Sequence, residues 1–223
     1  MWAIVPIKTF ERAKQRLSNV LSDEERRSLT LAMARDVLTC LSRCKHLTGT
    51  LIVSRTHEAT ILASAFNTEH FTESPDANLA TALTQATRHL LHNFAATGVF
   101  VVPADVPGIT TQQIDQLIED HIDVTLLPDS EHIGTNGMIC SPPLAIPYIF
   151  DGKSFKPHSD AAYSKNLTPR IISGSCFALD IDTPKDLLTL LQQHPQNQTV
   201  SFLHRSGIAQ RLSETKQPQQ ESL

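Results

Sequence analysis

Between Trp2 and Leu127 short apolar runs alternate with segments of helical periodicity. Trp2 to Pro6, Thr50 to Ser54, Val99 to Val102 and Val124 to Leu127 lack polar alternation, and Glu69 to Phe71 is a weaker run of the same kind. Strands apolar on both faces are those that helices cover from both sides, the signature of a parallel sheet. Helices are expected from Ser22 to Leu41, His57 to Ala65, Asn78 to Phe94, Thr110 to His121 and Pro184 to Gln192. In the first of these, Ser22 and Glu25 have capping-box spacing, and Leu29, Met33, Val37 and Leu41 make one apolar stripe. In the third, Leu79, Leu83, Ala86, Leu90 and Phe94 make another. The pattern predicts an α/β fold with a doubly wound, mostly parallel sheet. From Pro128 to Arg170 it loosens into Pro, Gly, Ser and Asn clusters, read as a loop-rich insertion over the sheet edge, before a last strand at Cys176 to Ile181. Residues 1–208 are expected to form a single domain, and residues 209–223 a polar tail without fixed structure.

Composition narrows the function. The chain has 223 residues, 40% of them apolar, which is enough for a packed core. A net charge of -4, from 19 basic and 23 acidic residues without a basic block, argues against nucleic acid or an anionic membrane as a partner. The N-terminal apolar run is short before Lys8, and no segment has the length of a membrane span, so a cytoplasmic location is expected. Cys40 and Cys44 lie four apart in a helical pattern while Cys140 and Cys176 stand alone, a spacing that suits buried free thiols rather than a metal or redox pair.

Two acidic features fall at strand ends. In VFVVPADVPGIT, Asp105 follows the strand that starts at Val99 and is flanked by Pro103 and Pro107. If the sheet is parallel, that is where open α/β sheets bind ligands. In FALDIDTPKDL, an extended chain puts Phe177 and Leu179 on one face and Ala178, Asp180 and Asp182 on the other. Thr183 is the better helix cap there, with Pro184 at the first helical position and Asp186 completing the cap, so Asp180 and Asp182 have no structural task. Three carboxylates from two strand ends, without His or Cys, suit a hard cation such as Mg²⁺.

After the first strand come Lys8, Arg12, Lys14 and Arg16, a cationic cluster fitted to a phosphate chain or to a solvated turn. Neither a Gly-x-Gly-x-x-Gly nor a Walker A sequence occurs, which argues against dinucleotide oxidoreductases and P-loop enzymes. Asp129 to Gly137 and Phe150 to Phe155 are polar, glycine-containing stretches. In the first, Thr135 and Asn136 are candidate donors to an anion. His132 and His158 read as polar loop residues rather than catalysts, because no nucleophile stands beside them.

The segments AIVPIKTFERAKQRL, LSDEERRSLTLAMARDVL, DANLATAL, VVPADVPGIT, GTNGMICSPP, FDGKSF and LDIDTPKDL, in this order, resemble the guanylyltransferases of coenzyme F-420 biosynthesis that act on 2-phospholactate or phosphoenolpyruvate. The resemblance covers nearly everything but the tail. It implies a nucleotide-diphosphosugar-transferase-like, Rossmann-like fold and transfer of GMP from GTP to a small phosphorylated acid, releasing pyrophosphate. It also implies Asp105, Asp180 and Asp182 as Mg²⁺ ligands, with Lys8, Arg12, Lys14 and Arg16 around the triphosphate and Lys8, Lys14 and Asp105 at the reacting groups. Asn78 falls in the nucleotide loop, and Thr135, Asn136, Asp151, Gly152 and Ser154 fall at the phosphoacid. Asp151 stands where the family tends to have glycine, so the acid is open among 2-phospho-L-lactate, phosphoenolpyruvate and 3-phosphoglycerate. The resemblance further suggests a homodimer, and a product passed to a transferase that joins it to the deazaflavin precursor. A phosphate monoester is largely ionised at neutral pH and attacks without a general base, in keeping with the lack of a conspicuous catalytic His. Two other readings stay open. One is a sugar- or molybdopterin-nucleotide synthase of the same fold, although the glycine-rich loop usual there is absent between Pro6 and Leu17. The other is a nucleotide-binding module without catalysis.

Overall fold

The computed structural model describes residues 1–10, 13–193 and 196–214. Five strands fall close to where the apolar runs put them: β1 (Trp2–Pro6), β2 (Gly49–Val53), β3 (Glu69–Phe71), β4 (Val99–Val101) and β5 (Val124–Pro128). Between them run α1 (Asp23–Leu41), α2 (His57–Phe66), α3 (Leu79–Phe94) and α4 (Thr111–Glu119). Their starts follow from local chemistry. Ser22 and Glu25 form a reciprocal capping box on α1, and Thr56, Asn78 and Thr110 each accept a backbone N–H in the first turn of the helix that follows.

The region from Pro128 to Arg170 differs from the loop-rich reading. It contains β6 (Thr135–Cys140), α5 (Phe155–Ser164) and the start of β7 (Arg170–Ile171). The seven strands form one sheet in the order β3-β2-β1-β4-β6-β5-β7. The parallel pairings are those of β1 with β2 and β4, β2 with β3, and β5 with β7, whereas β6 runs antiparallel between β4 and β5. The connection between β5 and β6 is tied by Asp129, whose carboxylate accepts the backbone N–H groups of Glu131, Ile133 and Gly134. A side chain at Gly134 would collide with that carboxylate, so its bareness serves the turn.

The expected strand at Cys176 to Ile181 is also corrected. Cys176–Ala178 form a 3-10 turn, in which the Ser175 hydroxyl accepts the Phe177 N–H. The chain then runs extended without joining the sheet, held by Ile181 N–H donating to the Asp105 carbonyl at 3.0 Å. The helix α6 (Pro184–Gln193) is capped as anticipated, with Thr183 and Asp186 bonded reciprocally. Two further helices follow, α7 (Gln198–Arg205) and α8 (Ile208–Glu214). The boundary at residue 208 therefore falls too early: Ile208, Ala209 and Leu212 are buried, and residues 215–223 lie outside the described residues.

Ala3, Val5, Ile52 and Phe100 face one side of the sheet and pack with α1, α2 and α4, while Ile4, Leu51, Val99 and Val101 face the other and pack mainly with α3 and α5. A third apolar cluster joins Leu29 and Met33 of α1 to Leu187, Leu203 and Leu212 of the C-terminal helices. All four cysteines are free, Cys40 and Cys140 buried, Cys44 and Cys176 half-buried. Among the described residues no helix is long and apolar enough to cross a membrane.

Candidate active site

Strand order places the site. Going from β1, the chain adds β2 and β3 on one side and β4 on the other, so crossovers leave in opposite directions between β1 and β4. A crevice forms at the carboxyl ends of strands at such a switch point. Two adjoining cavities lie there, of about 570 and 490 Å³, sharing the segment Pro6 to Thr9 and Leu79 as a common wall. Lys14, Asp105 and Asp182 line the first, and Ser54, Thr56, Glu73, Asn78 and Phe150 line the second. A wider cavity of about 970 Å³ opens elsewhere, between α1, α4 and α7, and is lined by none of the candidate catalytic, substrate-binding or metal-binding residues.

The centre of the first cavity is an ion-paired cluster. Lys14 Nζ donates to Asp105 Oδ2 at 2.6 Å and to Asp182 Oδ1 at 2.8 Å, with only 9% of the lysine side chain exposed. The backbone at Lys14 is left-handed, with φ 54°, which turns its side chain at the entry to the 3-10 turn Gln15–Leu17. Arg16 is mostly exposed and lies 3.7 Å from Asp182. Asp180 accepts from Asn136 Nδ2 at 3.0 Å, and the same amide donates to the Phe177 carbonyl at 2.8 Å.

Burial would lower the Lys14 pKa, but Asp105 and Asp182 outweigh it and raise it above the usual lysine value. Burial likewise opposes ionisation of Asp182, yet Lys14, then Arg16 and Lys8, hold its carboxyl below the usual carboxylate range. Asp180 shifts the other way. Its burial and the charges of Asp105 and Asp182 raise its pKa against the stabilising Asn136 bond. Among the described residues Asp180 makes no ion pair with a lysine or arginine, and the Asn136 amide is its side-chain partner.

The three aspartates do converge, but not as a ready three-ligand cage. Among the described residues no group of three or more His, Cys, Asp or Glu is arranged to hold a metal ion. The Lys14 ammonium stands between Asp105 and Asp182. Lys8 is exposed on the shared wall of the two cavities, and Arg12 lies outside the described residues. Asn78 spends its side-chain oxygen on the N–H of Thr81 as the cap of α3, and still lines the second cavity.

The remaining residues are arranged differently from the sequence reading. Thr135 and Ser154 are buried and bonded to each other, Thr135 N–H donating to Ser154 Oγ at 3.0 Å. His158 is a fully buried residue of α5 and not a loop residue. Ile149 N–H donates to its Nε2, so the ring proton sits on Nδ1 and points to Thr135 Oγ1 at 3.0 Å. Burial lowers the pKa of this histidine to about 4, in keeping with a neutral ring. Because both hydroxyl oxygens act as acceptors in this chain of bonds, their own protons are left to donate elsewhere. Asp151 and Gly152 are exposed, Asp151 accepting from Lys153 N–H, and neither lines the two cavities. Glu73, which the sequence reading passed over, does line one.

The family model for CofC-like guanylyl transferases matches residues 1–222. A 2-phospho-L-lactate guanylyltransferase of Methanobrevibacter smithii is 31% identical over 210 residues, covering 93% of this chain and 91% of that one. A phosphoenolpyruvate guanylyltransferase of Sphaerobacter thermophilus is 33% identical over 195 residues, covering 86% and 93%. Among solved structures, a candidate nucleotide-diphospho-sugar transferase from Desulfovibrio desulfuricans G20 superposes with a TM-score of 0.78 at 16% identity, over 95% of this chain and 97% of that one.

Proposed function

Since the chain belongs to the CofC-like guanylyl transferase family and is thus a nucleotidyltransferase, we propose that it transfers GMP from GTP to a three-carbon phosphoacid, releasing pyrophosphate. The acceptor is 2-phospho-L-lactate, phosphoenolpyruvate or 3-phosphoglycerate, and the product passes to a transferase that joins it to a deazaflavin precursor. The observation that carries this reading is the Lys14 ammonium held between Asp105 and Asp182 across the ends of β1 and β4. Transfer between two phosphorylated anions needs positioning and cancellation of charge more than it needs a base. Lys14, Lys8 and Arg16 supply cations to the triphosphate and to the incoming phosphate. Asp105, Asp180 and Asp182 are the residues that would hold Mg²⁺: their donors are all carboxylate oxygens, as a hard cation prefers, and among the described residues Asp180 makes no ion pair with a lysine or arginine. When bound, the metal draws negative charge from the phosphates. The acceptor's phosphate oxygen, already ionised, forms its bond to the α-phosphorus as the bond to the pyrophosphate oxygen breaks. Thr135 and Ser154 are buried and line neither cavity, so their hydroxyl protons would serve the acid's anionic groups only after a local rearrangement.

Incubation with each nucleoside triphosphate, Mg²⁺ and a panel of phosphoacids tests the reading, with products identified by mass. A guanosine-diphosphate-linked acid and equimolar pyrophosphate are expected, and Asp105→Asn should abolish both while leaving the far-ultraviolet circular dichroism unchanged. Nucleotide binding without pyrophosphate from any acceptor would leave a binding module in its place.

A further inference from the structure

Glu73 lies in the loop between β3 and α3 and faces the 490 Å³ cavity together with Lys8, Ser54, Thr56, Asn78 and Phe150. One of its oxygens, Oε1, accepts from Arg55 Nε at 3.2 Å. The other, Oε2, is closed to solvent and has no hydrogen-bond partner among the described residues. An unpaired buried carboxylate oxygen is costly and calls for a partner. The loop that carries it is held firmly. Ser74 exchanges two bonds with Gln85 of α3, at 3.1 Å to its backbone N–H and 2.8 Å to its hydroxyl, and Arg55 Nη1 donates to the Pro75 carbonyl at 2.6 Å.

A carboxylate in this place is wrong for phosphate, and Glu73 is absent from the walls of the cavity that holds Lys14 and Asp105. With phosphates beside Lys14, the shared wall from Pro6 to Thr9 puts the other end of a nucleotide in the cavity that Glu73 faces. Of the nucleobases, guanine offers two adjacent donors on one edge, N1–H and the 2-amino group, where adenine presents a bare N1 acceptor. A carboxylate has two oxygens and about four lone-pair sites, so it can take both donors and keep Arg55. Its last torsion is broad, which lets the group turn toward a ligand. We propose that Glu73 reads the N1–H and 2-amino edge of guanine and so selects GTP; this deepens the proposed function and rests on its assignment of a nucleotide to these cavities. Selection works in two ways, by satisfying the unpaired oxygen with guanine and by setting it against the lone pair of adenine N1.

Equilibrium binding of GTP, ITP and ATP to the full chain with Mg²⁺ tests this, since ITP lacks only the 2-amino group. The wild type should bind GTP at least about tenfold more tightly than ITP, and ATP more weakly still, as expected for losing one hydrogen bond to a charged group. Glu73→Gln should bring the GTP-to-ITP ratio close to unity. A uniform loss across all three nucleotides would assign Glu73 to the ribose or to holding Arg55, and would overturn the proposal. If the variant does not fold, the wild type still decides, because equal affinity for GTP and ITP shows that the 2-amino group is not read. Selective binding through Glu73 with no transfer to any phosphoacid would overturn the proposed function and leave the base-reading role standing.

Discussion

Removing the Lys14 ammonium would leave Asp105 and Asp182 without the cation that both of them bond. Lys14→Met keeps most of the stem, so its effect isolates the charge. Breaking a fully buried pair costs about 3–5 kcal/mol. Here the aspartate side chains are 31% and 41% exposed, so solvent screening reduces the expected loss to about 1–3 kcal/mol near neutral pH. The sign of the pH dependence follows from the shifts. Asp182, its pKa lowered by folding, contributes stability above its unfolded pKa that fades as pH falls through the folded value. Lys14, its pKa raised, contributes below its unfolded pKa and loses that contribution as pH rises through the folded one. The gap between wild type and Lys14→Met should thus be widest near neutrality and close as pH falls below the ordinary carboxylate range, as chemical denaturation would read. A gap independent of pH would sink the electrostatic account. At this scale the position of Asp105 was legible because the end of β4 can be placed from an apolar run, whereas Asp180 and Asp182 follow a 3-10 turn and not the strand expected before them. The left-handed turn at Lys14 was not legible, since a non-glycine residue takes that conformation only where the tertiary structure imposes it. Glu73 was not either: a single loop glutamate carries no sequence signal, and only its unpaired oxygen marks it.

β6 supplies an element-scale test. A Cβ added at Gly137 would lie 2.7 Å from Leu127 Cδ1 and 3.0 Å from Phe177 Cδ1. The constraint is space, since the backbone there is ordinary strand. Gly137→Ala should cost about 1–3 kcal/mol by overpacking and displace Phe177, whose carbonyl holds the Asn136 amide that also bonds Asp180. Thermal melting and nucleotide affinity would fall together, and unchanged values in both would show that the turn can yield. Such packing also explains which elements the sequence announced. The capping box at Ser22 and the strand at Trp2 depend on neighbours in the chain. In β6, Asn136-Gly137 reads as a turn by composition, and only pairing with β4 and β5 makes it a strand. With β6 and α5 read as loop, the inward orientation of Thr135, Ser154 and His158 had no element to define it.

Across the whole molecule, the C-terminal helices close the structure over α1. Buried Asp36 accepts the N–H groups of Gln198 and Thr199 and the Thr199 hydroxyl at 2.6–2.8 Å, docking the start of α7. Arg211 of α8 reaches Glu25 of α1. A chain ended after Gly207 loses the buried Ile208, Ala209 and Leu212, which should lower its stability by about 2–4 kcal/mol once the entropy of ordering is subtracted. A chain ended after Glu214 keeps them and should unfold at a higher denaturant midpoint than the chain ended after Gly207; equal midpoints for both truncations would return the boundary to residue 208. The polar composition after Ile208 hid this, because three apolar side chains in one short helix are enough to dock it on a neighbour.

The bond between Lys14 and Asp182 joins positions 168 residues apart. Contacts so distant along the chain form slowly, because most of the loop must be ordered before they close. During refolding the helices and the β1–β2 pair can gather early, but the charged centre is completed only when the last third of the chain has arrived. Recovery of nucleotide binding in a stopped-flow refolding experiment should therefore lag behind the return of helical signal and mark the end of folding.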